Sequence, residues 1–208
     1  MLVDKEPLIK AILEFWSEEE PSLKKRVLLL TGVPGVGKTT VLLRTVDVLK
    51  TKGYSVGGMI SREVRSDGAR VGFEILDLSS GKRGWLARAN QESGPRVGKY
   101  RVHLSDLETT GANAVVAAAE NCDVVVIDEI GPMEMFSERF KLAVKLAVDS
   151  GKLVVGVIHW KTRSWLTEEI RKREDTELFE VIPVNRDKLH EIVAMKGTEF
   201  LQSEKGTR

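Results

Sequence analysis

The stretch LLLTGVPGVGKTT, residues 28–40, constrains this chain more than any other. An apolar run of strand character leads into the pattern G-x-x-x-x-G-K-[ST], met by Gly32, Gly37, Lys38 and Thr39. The following KTTVLLRTVDVLKTKG has helical period and ends at Gly53. Strand, glycine loop and helix in that order are the context in which this motif wraps a phosphate group. Backbone N–H groups turn inward around the β-phosphate, the helix N-terminus adds a favourable dipole, the lysine reaches the β- and γ-oxygens, and the threonine hydroxyl ligates Mg2+. Gly32, Val33, Pro34, Gly35, Val36, Gly37, Lys38, Thr39 and Thr40 are the expected cradle, with Thr39 a metal ligand and Gly35 needed only for the loop's conformation.

Such a loop requires a second, acidic site, and DVVVIDEIGPME at residues 123–134 supplies one. Four apolar residues ending in Asp128 read as a buried strand whose carboxylate emerges beside the loop and holds the metal's water shell. Glu129 follows directly, placed to orient or deprotonate an attacking water. A solvated or ion-paired acid at a strand end is the plainer reading of Glu129. Glu134 is equally well explained as an acid in the first turn of a helix.

The rest of the chain sets the frame. At 208 residues it fits a single domain, and 32 Lys plus Arg nearly cancel 31 Asp plus Glu, so no large field gathers polyanions and no stable nucleic-acid partner is expected. The single cysteine, Cys122, excludes an internal disulfide, and the chain's start lacks the form of a secretory signal, so a cytoplasmic location is expected. The longest apolar runs fall well short of the roughly 20 residues a membrane span needs. Residues 1–24 carry an amphipathic helix pattern with Leu8, Ile9, Ile12, Leu13 and Trp16 on one side. Residues 55–102 alternate short strand-like stretches with turn signals and read as a β-hairpin-rich insertion. Helices are expected near 105–120, 134–149, 164–173 and 186–195, alternating with strands DVVVID, KLVVGVIH and ELFEVIPV, which is the pattern of a parallel sheet covered on both faces. The tail, residues 196–208, shows no clear period and is expected to fray.

Several of these segments together resemble the P-loop nucleoside-triphosphatase family that includes the cancer-related nucleoside-triphosphatase of animals and thermophilic counterparts in archaea and bacteria. TGVPGVGKTT is similar to that family's loop, EVR with GARVGFEILDL to its hairpin, RVGKYRVHL to its Val-Gly-x-Tyr-x-Val segment, and VIDEIGPMEMF to its Asp-Glu-Ile-Gly-x-Met-Glu signature; EEIRKRED and VNRDKL follow in order. The resemblance spans residues 26–195. It implies an α/β protein with the three-layer αβα fold of P-loop NTPases and a mostly parallel central sheet. It also implies Mg2+-dependent, slow hydrolysis of nucleoside triphosphates to diphosphates with broad base tolerance. Lys38 and Thr39 would serve phosphates and metal, Asp128 the metal, and Glu129 the water. The helix before residue 25, Arg62 and His103 depart from the family's pattern and take no role from it.

Charge developing on the γ-phosphoryl oxygens calls for a late-arriving cation. Arg163, just after the strand at 153–158, is the first candidate, with Lys161, Arg171 and Arg173 nearby and Arg65 on the hairpin; local pairs such as Glu169 with Arg173 explain the same residues without a ligand. Asn185 reads first as a helix N-cap and second as a base contact beside Arg186. His103, His159 and His190 lack metal-ligand spacing and read as structural, and Trp16, Trp85, Trp160 and Trp165 read as packing residues. A glutamate beside Asp128 points, by analogy, to a RecA-like strand order with an extra strand between the loop strand and the Asp128 strand. Transfer of the γ-phosphoryl to a nucleoside, nucleotide or polynucleotide acceptor is the alternative reaction, and a nucleotide-dependent binding module is a third reading. The expected form is a monomer binding nucleoside triphosphates such as ATP and GTP, with dimerisation through the N-terminal helix as the other possibility.

Overall fold

The computed structural model describes residues 24–206. Residues that are apolar on both sides of a strand can be satisfied only in the middle of a covered sheet, and three such runs occupy that place: β1 (Val27–Thr31), β7 (Val124–Ile130) and β8 (Leu153–Ile158). With β2 (Val56–Ser66) and β9 (Thr176–Glu180) they pair in parallel in the order β2-β7-β8-β1-β9. Strand β8 therefore separates the glycine-loop strand from the strand that carries Asp128.

Alternation along β1 divides the core. Leu28 and Leu30 join a cluster on one face that includes residues of α1 (Lys38–Thr51) and α6 (Leu189–Gly206). Val27 and Leu29 join a cluster on the other face. That face is covered by α2 (Leu104–Asp106), a π-helical segment at Leu107–Ala112, α3 (Asn113–Asn121), α4 (Glu138–Asp149) and α5 (Trp165–Lys172). The result is a mixed, largely parallel sheet between helical layers.

Beyond β2 the sheet becomes antiparallel. β3 (Ala69–Asp77) returns along β2, and β4 (Arg83–Arg88), β6 (Tyr100–Val102) and β5 (Arg96–Val97) continue outward. The β2–β3 connection is a two-residue turn in which Asp67 and Gly68 adopt φ of 51° and 78°, the geometry for which an Asp-Gly pair is suited. β2 belongs to both regions, since residues 56–60 pair in parallel with β7 while Met59 onward pairs antiparallel with β3. The range 55–102 thus begins with a strand of the parallel sheet.

Two expectations need correction. As far as Gly206 the tail is helical, not frayed: α6 runs from Leu189 to Gly206, later at both ends than the expected 186–195, and buries Val193, Phe200 and Leu201 in the cluster of Leu49 and Leu153. The helix expected at 105–120 is broken into α and π turns around Leu107–Ala112. The expected amphipathic helix at 1–24 lies outside the described residues apart from Lys24. Among the described residues no helix is long and apolar enough to cross a membrane.

Candidate active site

β1 ends at Thr31, and the chain turns through residues 32–37 into α1, which begins at Lys38. Gly37 caps this helix at φ 111°, a backbone conformation that glycine alone adopts freely, and it offers no side chain to the first-turn N–H groups. The first turn also contains no acidic residue, so its dipole is not neutralised by the chain itself. Lys38 is buried, and its Nζ donates to the carbonyls of Gly32 at 3.1 Å and Val33 at 3.3 Å. Thr39 Oγ1 donates to Asp128 Oδ2 at 3.0 Å, which ties the glycine loop to the end of β7. All nine cradle residues belong to this turn, and Pro34, Gly35, Gly37, Lys38, Thr39 and Thr40 line a cleft of about 620 Å³.

Three carboxyl groups share that cleft. Asp128 is almost fully buried at the end of β7, and Glu129 follows it, with a buried Oε1 that has no hydrogen-bond partner among the described residues. Glu134, also buried, accepts a hydrogen bond from the backbone N–H of Gly131 at 3.2 Å. Burial pushes the Asp128 carboxyl up to about 7; Glu129 adds to the rise, while the Thr39 hydrogen bond and Lys38 oppose it. Burial also raises Glu129, against the pull of Lys38. Glu134 is pushed up to about 8, chiefly by burial and then by the neighbouring Glu129. Burial disfavours the anionic form of all three carboxyls, so a cation entering the cleft would favour their ionisation.

The opposite wall comes from the antiparallel strands. Glu63 on β2, Arg70 and Phe73 on β3, Leu86 on β4, Val97 on β5 and Tyr100 on β6 line it. Phe73 and Tyr100 pack edge to face with centroids 5.2 Å apart, and Arg70 lies over Phe73 while its Nε pairs with Glu63 Oε2 at 2.6 Å. His159, the residue after β8, completes the lining.

The sequence candidates divide accordingly. Lys38, Thr39, Asp128, Glu129 and Glu134 come together. Arg163 does not line the cleft: Ser164 caps α5 by accepting from the Thr167 N–H at 3.2 Å, and Arg163, ahead of the cap, is 67% exposed with Glu168 at 3.5 Å. Lys161 lies over the Trp160 ring, and Arg65 pairs with Glu63 at 2.5 Å and with the Gly68 carbonyl. Arg173 pairs with Asp149 and Asp175, while Glu169 pairs with Lys145. Asn185 does not cap α6, which starts four residues later. Its side chain accepts from Ile182 N at 3.0 Å and donates to the Glu180 carbonyl at 2.9 Å, so both of its polar groups hold the loop after β9. Arg70 escaped the sequence reading, and His159, which read as structural, lines the cleft. Arg70 was hidden by fold, but His159 stands at the C-terminal end of a buried parallel strand, the same signal that identified Asp128.

A family model described as NTPase matches residues 27–194. The chain belongs to this NTPase family. The nucleoside-triphosphatase THEP1 of Thermofilum pendens is 48% identical over 162 residues, covering 77% of this chain and 89% of that protein. THEP1 of Methanosarcina acetivorans is 48% identical over 168 residues, covering 79% and 92%. The solution structure of a human cancer-related nucleoside triphosphatase matches with a TM-score of 0.70 at 38% identity, over 82% of this chain and 96% of that one. The crystal structure of THEP1 from Aquifex aeolicus matches with a TM-score of 0.69 at 31% identity, over 80% and 95%.

Proposed function

We propose that this NTPase-family chain hydrolyses nucleoside triphosphates to diphosphate and phosphate with little preference among bases. The observation that carries this reading is Glu129, a half-buried carboxylate with one buried, unpartnered oxygen beside the Asp128–Thr39 pair, in the cleft onto which the glycine loop opens. Glu129 takes a proton from water as the water oxygen bonds to the γ-phosphorus; the bond to the β,γ-bridging oxygen breaks, and the diphosphate leaves with the electron pair. Lys38 and the loop N–H groups hold the β- and γ-oxygens. The names of the relatives, each a nucleoside-triphosphatase, support hydrolysis, and transfer to a second acceptor has no such support.

Thr39 Oγ1 and the Asp128 carboxylate are hard oxygen donors of the kind Mg2+ takes when phosphate oxygens and water fill the remaining positions. Among the described residues no group of three or more His, Cys, Asp or Glu forms a cage, and a cation shared with the substrate fits that donor set. When bound, the ion neutralises charge on the β- and γ-oxygens. The strand order, with β8 between β1 and β7, supports a RecA-like P-loop NTPase arrangement, and β3–β6 then read as a hairpin-rich insertion. We read the protein as a cytoplasmic monomer acting on free nucleotides.

The test is phosphate release from ATP, GTP, CTP and UTP with Mg2+, run with γ-labelled substrate in the presence and absence of nucleoside and polynucleotide acceptors. Label recovered in phosphate for all four supports the reading. Label recovered in an acceptor overturns it.

A further inference from the structure

His159 sits in the cleft with its protonation pattern fixed by its surroundings. It follows Ile158 at the end of β8, the strand between β1 and β7, so it leaves the sheet at the same edge as the glycine loop and Asp128. Its backbone is pinned on both sides: its N–H donates to the Ile130 carbonyl at 3.1 Å, and its carbonyl accepts from Arg171 Nη2 at 3.1 Å. The ring makes two hydrogen bonds among the described residues, and both fall on Nδ1, from the backbone N–H of Lys161 at 3.3 Å and with the Thr162 hydroxyl at 2.9 Å. A backbone N–H can only donate, so Nδ1 carries a lone pair and the proton of the neutral ring stands on Nε2. Burial and the cations Lys38, Lys161 and Arg171 all disfavour a second proton. The remaining ring atom is thus a fixed N–H donor in a cleft lined by Lys38, Thr39 and Glu129.

We propose that the Nε2–H of His159 donates to the γ-phosphoryl group of the bound nucleotide and is a contact by which the cleft tells a triphosphate from a diphosphate. This rests on the nucleotide-binding reading above. The loop amides grip the β-phosphate of either nucleotide and Lys38 spans the β- and γ-oxygens from the loop side; a donor arriving from β8 adds a contact that only a molecule extending past the loop can make.

The test compares dissociation constants for ADP and for the β,γ-imido analogue of ATP, both with Mg2+, in the wild type, His159→Ala, His159→Gln and His159→Asn. A hydrogen bond to a charged oxygen corresponds to about 10- to 100-fold. His159→Ala is expected to weaken the ATP analogue by that factor and leave ADP unchanged. Gln places an amide N–H near the Nε2 position and should restore most of the preference, whereas Asn places one near Nδ1 and should not. In 15N spectra the wild-type imidazole should show the Nε2–H tautomer, with that resonance moved by the ATP analogue and not by ADP. Unchanged discrimination in His159→Ala, equal behaviour of Gln and Asn, or an Nδ1–H tautomer overturns the proposal while leaving hydrolysis standing. Failure of the wild type to bind either nucleotide overturns both.

Discussion

Glu129 and Glu134 stand five residues apart in the same cleft, yet amide substitution should affect them differently. Glu129→Gln removes the proton acceptor while keeping size, so single-turnover phosphate release should fall by about 10²- to 10⁴-fold with affinity for Mg-ATP within a few-fold; a wild-type rate would remove Glu129 from the chemistry. For Glu134 the readout is stability. Its folded carboxyl is raised to about 8 against an ordinary 4.5, so between those values the folded state holds a proton that the unfolded chain has released. Stability therefore falls as pH rises from 4.5 to 8, by on the order of 1 to 4 kcal/mol, and is level beyond. Denaturant midpoints taken from pH 4 to 9 without metal should show this slope reduced in Glu134→Gln, with Asp128 and Glu129, both raised by burial, contributing to what remains; an unaltered slope would contradict the assignment. Arg163→Ala should leave phosphate release within about threefold, because an exposed residue whose recorded partner is Glu168 contributes little. These residues also mark how far the site could be read in advance. Lys38, Thr39, Asp128 and Glu129 sit in two short motifs whose local geometry is set by the strand before them. Arg70 and Tyr100 reach the cleft only because β3 to β6 extend the sheet alongside it, a long-range event that no local spacing encodes.

At the scale of elements, the clearest difference between sequence and structure lies in α6. Leu189, Val193, Ala194, Gly197, Phe200 and Leu201 follow helical spacing once the helix is carried past residue 195, whereas residues 196–208 taken alone show no clear period. In the fold Gly197 is the point of close approach: a Cβ there would lie 2.9 Å from Leu153 Cδ2, so the missing side chain lets α6 settle on β8. Thr198 turns its hydroxyl to the Ala194 carbonyl at 2.7 Å and continues the helix in place of breaking it. Tertiary burial thus overrides a weak local signal. Phe200 belongs to the cluster of Leu28, Leu49 and Leu153, and Phe200→Ala should cost about 3 to 5 kcal/mol in urea unfolding. A loss below about 1 kcal/mol would mean that this end of α6 adds little to the core. The parallel strands were legible for the opposite reason, since runs such as VVVI and LVVGVI admit few placements other than the centre of a covered sheet.

At the scale of the molecule, the cleft is a boundary between two styles of sheet. The parallel strands deliver the loop, Asp128, Glu129 and His159, and the antiparallel extension delivers the aromatic wall. Both sides belong to one sheet through β2, so a ligand that engages the cleft stabilises the fold as a unit. Binding to the folded state alone adds about 2.7 kcal/mol at a ligand concentration of 100 Kd. For a domain of this size that corresponds to roughly 5 to 10 °C in Tm. The nucleotide and the metal should be coupled in this increment, because each supplies what the other lacks. A divalent cation favours the ionised Asp128 carboxylate that burial disfavours and offsets its charge beside a triphosphate, and Thr39 with Asp128 forms only part of a coordination shell until phosphate oxygens join it. Melting with the β,γ-imido analogue of ATP alone, Mg2+ alone and both should give a shift for the pair larger than the sum of the separate shifts. Asp128→Asn should lose that excess, since an amide neither holds the cation nor repels the phosphate. If Asp128→Asn retains the full coupled shift, the cation is held elsewhere, and the buried carboxyl at the end of β7 needs another explanation.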